Sequence, residues 1–351
     1  LSKATVVEVD GRKLSLTNLD KVLYPAVGFT KGQVIDYYVR VAPALLPHIA
    51  GHPLTLKRYP EGVDHEYFYE KNAPKHRPDW VKVAPIWSEG NNRYVNYVLV
   101  NDLPTLVWVA NLASIELHPS FSLAKDITCP TVIAFDLDPG PPANIVQCCQ
   151  VGIWLRDIFT HFGLQSFPKT SGSKGLQVYV PLHTPTSYDQ TKPFAHALAR
   201  LLENEHKDLV VSDMKKALRV GKVLVDWSQN DEHKTTVAVY SLRAKERPTV
   251  STPVSWGEVE QCLRKKDPGL LGFEAKDVLG RVESLGDVFE PVPKLKQKLP
   301  KLAGIEKAAA EVIATGLEIA AQAEETSKKK PKRRAKPALT STSSTRKRRK
   351  V

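Results

Sequence analysis

From Thr131 to Leu182 the chain reads TVIAFDLD, then a run with helical apolar spacing over about residues 144–162, then QSFPKT, the loop SGSKG and LQVYVPL. Short, β-branched apolar runs bounded by Pro and Gly predict strands. Their alternation with a helix predicts an α/β (α+β) core in which helices pack against a sheet. A further helix is expected over about 188–204, followed by the strands KVLVDW and TTVAVYSL.

Ahead of this core, VVEVDGRKLSLT alternates apolar and polar residues about Asp10-Gly11 and reads as a hairpin. Thr30 can cap a helix carrying Val34, Tyr37, Tyr38 and Val41, with a break expected at Pro43. Strands are expected at 54–58, 81–87 and 94–100. Asp102, followed by Leu-Pro, predicts a second helix through Leu112 and Ile115. Beyond about Pro293 lysines and prolines give way to an Ala-rich stretch, 305–323, of high helix propensity, and the last 25 residues hold almost nothing to bury. The expected organisation is a catalytic domain over 1–295, with an N-terminal part of about 1–120 packed against a core of about 121–295. A linker with the Ala-rich helix (296–325) and a disordered basic tail (326–351) follow.

The 351 residues contain no apolar run near the roughly 18–20 residues of a membrane span and no apolar stretch at the start, so a cytosolic protein with no membrane partner is expected. Cys129, Cys148, Cys149 and Cys262 form no CxxC pair and read as reduced thiols. The formal charge of +12 is concentrated at one end. Residues 327–351 hold 12 Lys and Arg and no acids, leaving 38 basic against 38 acidic residues elsewhere. Nucleic-acid affinity of the body must therefore come from charge placement, while the tail reads as a DNA-gripping arm or a nuclear-localisation signal.

The chemistry centres on FDLDPG. The period of two along a strand sends Asp136 and Asp138 to one face, where adjacent carboxylates repel unless a cation such as Mg²⁺ or Mn²⁺ lies between them. The alternative is a strand end with solvated acids. Asp226, in KVLVDW, adds a third carboxylate at a strand end, the set that two-metal phosphoryl transfer requires; a lone Asp bonded to nearby amides is the other reading. Between these strands, KTSGSKGLQVYVP offers two glycines, Ser171 and Lys174 to a triphosphate without the P-loop spacing, or else forms an ordinary turn. His118, read at a helix end, can contact a phosphate or serve as a cap. Arg219 and Arg243 can hold phosphate charge or lie solvated at the surface.

The segments DKVLYP, GHPLTLKRYPEG, FYEKNAP, NLASIELHP, FDLDPG, KTSGSKGLQVYVP, VDWSQN and YSLRAKERPTVSTPVSW, in this order over roughly residues 5–290, closely resemble the polymerase domain of bacterial DNA ligase D, of the archaeo-eukaryotic primase superfamily. The resemblance implies a primase-polymerase fold with an RRM-like catalytic sheet. It implies extension of DNA 3′ ends and gap filling in non-homologous end joining, with two Mn²⁺ (or Mg²⁺) ions, NTP or dNTP as substrate and a preference for ribonucleotides. Asp136, Asp138 and Asp226 would hold the metals. His118, Ser171, Lys174, Gln177, Arg219, Gln229 and Arg243 would line the nucleotide pocket. Lys21 and Lys31 would grip the 5′-phosphate of gapped DNA, and Lys57, Phe68 and Tyr69 would contact the template, although core packing is the other reading for the two aromatics. Double-stranded DNA ends, Ku and a separate ATP-dependent ligase are the implied partners, in a nucleoid-associated bacterial protein.

Two departures stand out. Gln177 occupies a position where many members carry histidine, and no KxDG ligase motif is present, so a stand-alone polymerase module without ligase activity is expected. Competing readings are a DNA-end-binding repair factor with weak catalysis, which Gln177 keeps open, and a two-metal nuclease, which would not need a triphosphate loop.

Overall fold

The computed structural model describes residues 4–301. The Ala-rich helix and basic tail expected farther along lie outside the described residues. Asp10 and Gly11 both take positive φ, 46° and 73°, as a two-residue hairpin turn needs, and join strands Ala4–Val9 and Arg12–Thr17 with Val9 opposite Arg12.

The helix capped by Thr30 does not stop at Pro43. It runs over Lys31–Ile49 with Pro43 and Pro47 inside it. An interior proline costs about 3 kcal/mol, but Val34, Tyr37, Tyr38, Val41, Leu45 and Ile49 make one buried stripe along the whole length, each contributing about 1.5–3 kcal/mol. Burial outweighs the two lost backbone bonds. The next helix, Leu103–Asn111, has Asp102 as its cap, with the side chain accepting from the Thr105 amide at 2.9 Å. It ends before Ile115: Ala113 takes φ 57°, and the chain then pairs as strand Ser114–Pro119 against Leu54–Arg58. His118 therefore sits on a strand, not at a helix end.

Leu54–Arg58 also pairs with Phe68–Glu70 and Arg93–Val98, and Arg93–Val98 pairs with Val83–Ser88, completing a five-stranded N-terminal sheet. The second five-stranded sheet runs in the order Phe167–Thr170, Leu176–Pro181, Val132–Pro139, Val223–Asp226, Val210–Val211, antiparallel except for the last pair. Helices Ile145–His161 and Tyr188–Glu205 cover one of its faces, the first capped by Asn144 in a reciprocal pair with Gln147. The expected strand TTVAVYSL is irregular instead. The Thr236 and Ala238 amides bond to the carbonyls of Pro119 and Leu117, then Tyr240, at φ 63°, turns its amide to Ser251. The segment is buried on all sides and satisfies its backbone with several partners in turn.

Alternation along Val132–Pro139 fixes where the chemistry lies. Ile133, Phe135 and Leu137 enter the apolar cluster beneath the helices, while Val132 and Ala134 enter the cluster shared with the N-terminal sheet and its helices. Asp136 and Asp138 continue the second series, toward the N-terminal half. Among the described residues no helix is long and apolar enough to cross a membrane.

Candidate active site

Asp136 lies in register between Gln177 on one neighbouring strand and Asp226 on the other. Burial, and next the charge of Asp226, push its carboxyl up to about 6, against the pull of the Gln177 amide and Lys169. The other two carboxylates have positive or donating partners. Asp138 is 3.3 Å from Lys174 Nζ through one oxygen and 3.3 Å from Arg219 Nη1 through the other. Asp226 Oδ1 accepts from the Ser228 amide at 2.9 Å and its hydroxyl at 2.6 Å, and Oδ2 accepts from Gln229 Nε2 at 2.9 Å. Among the described residues no three His, Cys, Asp or Glu side chains are gathered into a ready-made cation cage.

A cleft of about 580 Å³ opens over this floor, lined among others by Asp136, Asp138, His118, Ser171, Lys174, Gln177, Gln229 and Arg243. Six of the seven residues expected to hold a nucleotide thus share one cavity, and Arg219 joins it through Asp138. In the SGSKG loop, Ser171 Oγ accepts from the amides of Ser173 and Gly175, at 3.2 and 3.1 Å, so those two amides serve the loop itself. The glycines are required by close approach: a Cβ on Gly175 would lie 2.3 Å from the Leu137 carbonyl oxygen, and one on Gly172, at φ 66°, 2.5 Å from the backbone carbon of Val250. Gln177 Oε1 is buried without a hydrogen-bond partner.

The wall facing the loop comes from the N-terminal sheet. Glu116, 2% exposed, accepts from His118 Nε2 at 2.9 Å and the Ala244 amide at 3.1 Å, and lies 3.6 Å from Lys57 Nζ and 3.4 Å from Arg243 Nε. Its carboxyl is held down at about 2: burial opposes ionisation, but the hydrogen bond from His118 and the charges of Arg243, His118 and Lys57 prevail. Arg243 Nη1 also donates to the Ser171 carbonyl, tying the wall to the loop. Lys169 lies fully buried below, its Nζ donating to the Val237 carbonyl at 3.1 Å and Ser251 Oγ at 2.6 Å; burial lowers it to about 7 although Asp136 pulls the other way.

Lys21 and Lys31 line a separate cleft of about 540 Å³ with Lys13, Arg58, His76 and Trp80. Lys21 pairs with Glu61 at 2.7 Å. Lys31 Nζ donates to the Thr17 carbonyl at 2.7 Å, and burial, then Lys21 and Arg58, lower it to about 8. Phe68 and Tyr69 are exposed, so core packing is not their role, and strand alternation separates them. Tyr69 stands edge-on to His118 and beside Lys57, whereas Phe68 stacks under Arg58, which lines the lysine cleft.

Glu116, Lys169 and Tyr67, whose ring lies 4.1 Å from Lys57 Nζ, are the residues that reading the sequence missed. Glu116 was within reach: in a strand, ELH puts Glu116 and His118 on one face, but the segment reads as the end of a helix. Lys169 and Tyr67 carry no local signal.

A family model described as the LigD primase-polymerase domain matches residues 30–289. The multifunctional non-homologous end joining protein LigD of Mycolicibacterium smegmatis is 42% identical over 282 residues, 80% of this chain and 36% of that protein. The bifunctional non-homologous end joining protein LigD of Bacillus subtilis is 32% identical over 278 residues, 79% of this chain and 44% of that protein. Among solved structures, the polymerase domain of Mycobacterium tuberculosis ligase D in complex with DNA superposes with a TM-score of 0.75 at 38% identity, covering 81% of this chain and 99% of that one. The chain spans well under half the length of these curated relatives.

Proposed function

Because this chain belongs to the LigD primase-polymerase family, we propose that it is a nucleotidyltransferase that extends DNA 3′ ends and fills gaps during non-homologous end joining. The observation that carries this reading is that Asp136, Asp138 and Gln177 line a cleft whose walls hold His118, Lys174 and Arg243, with Asp226 the cross-strand partner of Asp136. Acids below and cations above suit a triphosphate whose charge is neutralised on one side while its reacting phosphorus lies over the carboxylates.

The donor set fits divalent cations. Asp136 is a half-buried carboxyl facing a second carboxylate, short of positive charge, and all three donors are hard oxygens. Asp136, Asp138 and Asp226 would hold Mn²⁺ or Mg²⁺, two ions in our reading, which when bound supply activation of the 3′-hydroxyl and neutralisation of the leaving pyrophosphate. Ser228 and Gln229 orient Asp226 for that task. Lys174 and Arg219 now neutralise Asp138 and stand ready to take phosphate oxygens in its place. Ser171 Oγ, already accepting from two amides, keeps its proton to donate.

In this reading Lys21 and Lys31 hold the downstream 5′-phosphate in their own cleft, and Lys57 with Tyr69 contacts the template base opposite the incoming nucleotide. Phe68 contacts DNA on the side of the lysine cleft. The catalytic domain covers about residues 1–295, and ribonucleotides are preferred.

The test is extension of a labelled primer in a gapped duplex bearing a downstream 5′-phosphate, with Mn²⁺ and either rNTPs or dNTPs, comparing wild type with Asp136→Ala/Asp138→Ala. Extension by wild type alone supports the polymerase. Absence of extension by DNA-bound wild type would sink it and favour an end-binding factor, the reading that the existing neutralisation of Asp138 by Lys174 and Arg219 would then explain.

A further inference from the structure

We propose that Glu116 is a positioning residue, which aims His118 and Arg243 at the triphosphate and couples them to Lys57 on the template side. The inference rests on the polymerase reading of the cleft and extends it to a residue that does not itself line the cavity.

Two strand pairings bring the groups together: Lys57 is the cross-strand partner of Glu116, and Thr55 that of His118. Lys57 in turn is the cross-strand partner of Tyr69. Three cationic or protonatable groups, from Leu54–Arg58, from Ser114–Pro119 and from the loop that holds Arg243, meet one carboxylate that is almost completely buried. Without that anion, Lys57 and Arg243 would repel one another across a few ångströms of poorly screened space, and both would oppose a proton on His118.

Glu116 accepts two hydrogen bonds and stands in two further ion pairs. Glu116 Oε1 faces the Ala244 amide and Lys57 Nζ, and Oε2 faces His118 Nε2 and Arg243 Nε. Because Nε2 of His118 donates to Glu116, its Nδ1 is the ring nitrogen left for the cleft; burial lowers the imidazole below its ordinary value, so Nδ1 is an acceptor in the free site and donates to a phosphate oxygen once the triphosphate's charge has protonated the ring. Arg243 is ion-paired with Glu116, its Nε 3.4 Å away without a hydrogen bond, and it donates from Nη1 to the Ser171 carbonyl, which restricts the directions in which its other N–H groups can point. A glutamine at 116 retains one oxygen, so its NH₂ must face donors on one side or the other, and the set loses its geometry.

The experiment measures nucleotide KM and kcat in gap extension for wild type, Glu116→Gln, His118→Ala and the double variant, with duplex binding and thermal melting as controls. Glu116→Gln is expected to raise nucleotide KM by about tenfold, the scale of one lost charge-assisted hydrogen bond, with a much smaller change in kcat and in duplex binding. If Glu116 acts through His118 and Arg243, the double variant falls well short of the product of the two single effects. A folded Glu116→Gln variant with KM within about twofold of wild type, or single effects that multiply in full, overturns the proposal. Glu116→Asp, which keeps the charge but draws it back by one methylene, carries the same cycle if the glutamine variant does not fold. Failure of wild type to extend the primer defeats the polymerase reading itself, whereas active wild type with a silent Glu116→Gln defeats only this inference.

Discussion

Asp136, which lines the cleft, and Asp226 are direct partners across the antiparallel strands Val132–Pro139 and Val223–Asp226, two carboxylates side by side in register. Like charges opposite each other in a sheet destabilise it, and the Asp226 charge is the second cause, after burial, that raises the Asp136 carboxyl.

Replacing Asp226 with Asn is therefore expected to stabilise the protein while disabling it. The carboxamide oxygen of the replacement can still accept from Ser228, and Gln229 can turn its own amide to match. In chelator at pH 7 the variant should gain about 1 kcal/mol by denaturant titration and lose extension by roughly two orders of magnitude or more. The pH dependence has a definite sign. A carboxyl raised to about 6 on folding contributes stability at low pH that is lost as pH rises through 6, so metal-free wild type should melt higher near pH 5 than near pH 7 from this group. In Asp226→Asn that difference should shrink.

Lys31 sets a second pH dependence. Burial lowers it to about 8, so it loses its charge as pH rises through that value. The affinity advantage of a gap with a 5′-phosphate over one with a 5′-hydroxyl should decline between pH 7 and 9. Lys31→Arg, which stays charged, should flatten the decline.

Gln177→His tests the amide at the floor of the cleft. A histidine beside Asp136 can carry positive charge toward a triphosphate, which the buried Gln177 Oε1 cannot. Relative to wild type, nucleotide KM should fall by roughly threefold to tenfold at pH 6 and return toward the wild-type value at pH 8, as the imidazole neutralises.

Gly140, directly after the Asp138-Pro139 pair, lies so close to the next segment that a Cβ would sit 1.9 Å from the Arg219 carbonyl oxygen. Its amide donates to the Lys222 carbonyl, and its own carbonyl accepts from the Gly221 amide. Gly140→Ala should cost about 2 kcal/mol in a urea titration and weaken the Arg219–Asp138 contact, read as a higher nucleotide KM.

Short-range features were legible in the residues alone. The Asp10-Gly11 turn, the Thr30 and Asp102 caps and the common face of Asp136 and Asp138 follow from preferences of a few adjacent residues, and the family motifs read on top of them named most of the residues that line the cleft. The tertiary structure decided the rest, because it depends on pairing between distant segments. Register across three strands made Gln177 and Asp226 the neighbours of Asp136. An apolar stripe with something to bury against carried a helix through Pro43, and the free edge of Leu54–Arg58 turned the end of NLASIELHP into a strand. Glu116 came to lie behind the cleft wall, against His118 and Arg243, by the same step. A buried carboxylate is stable only where cations converge on it, and Lys57 and Arg243 arrive there only once the chain has folded.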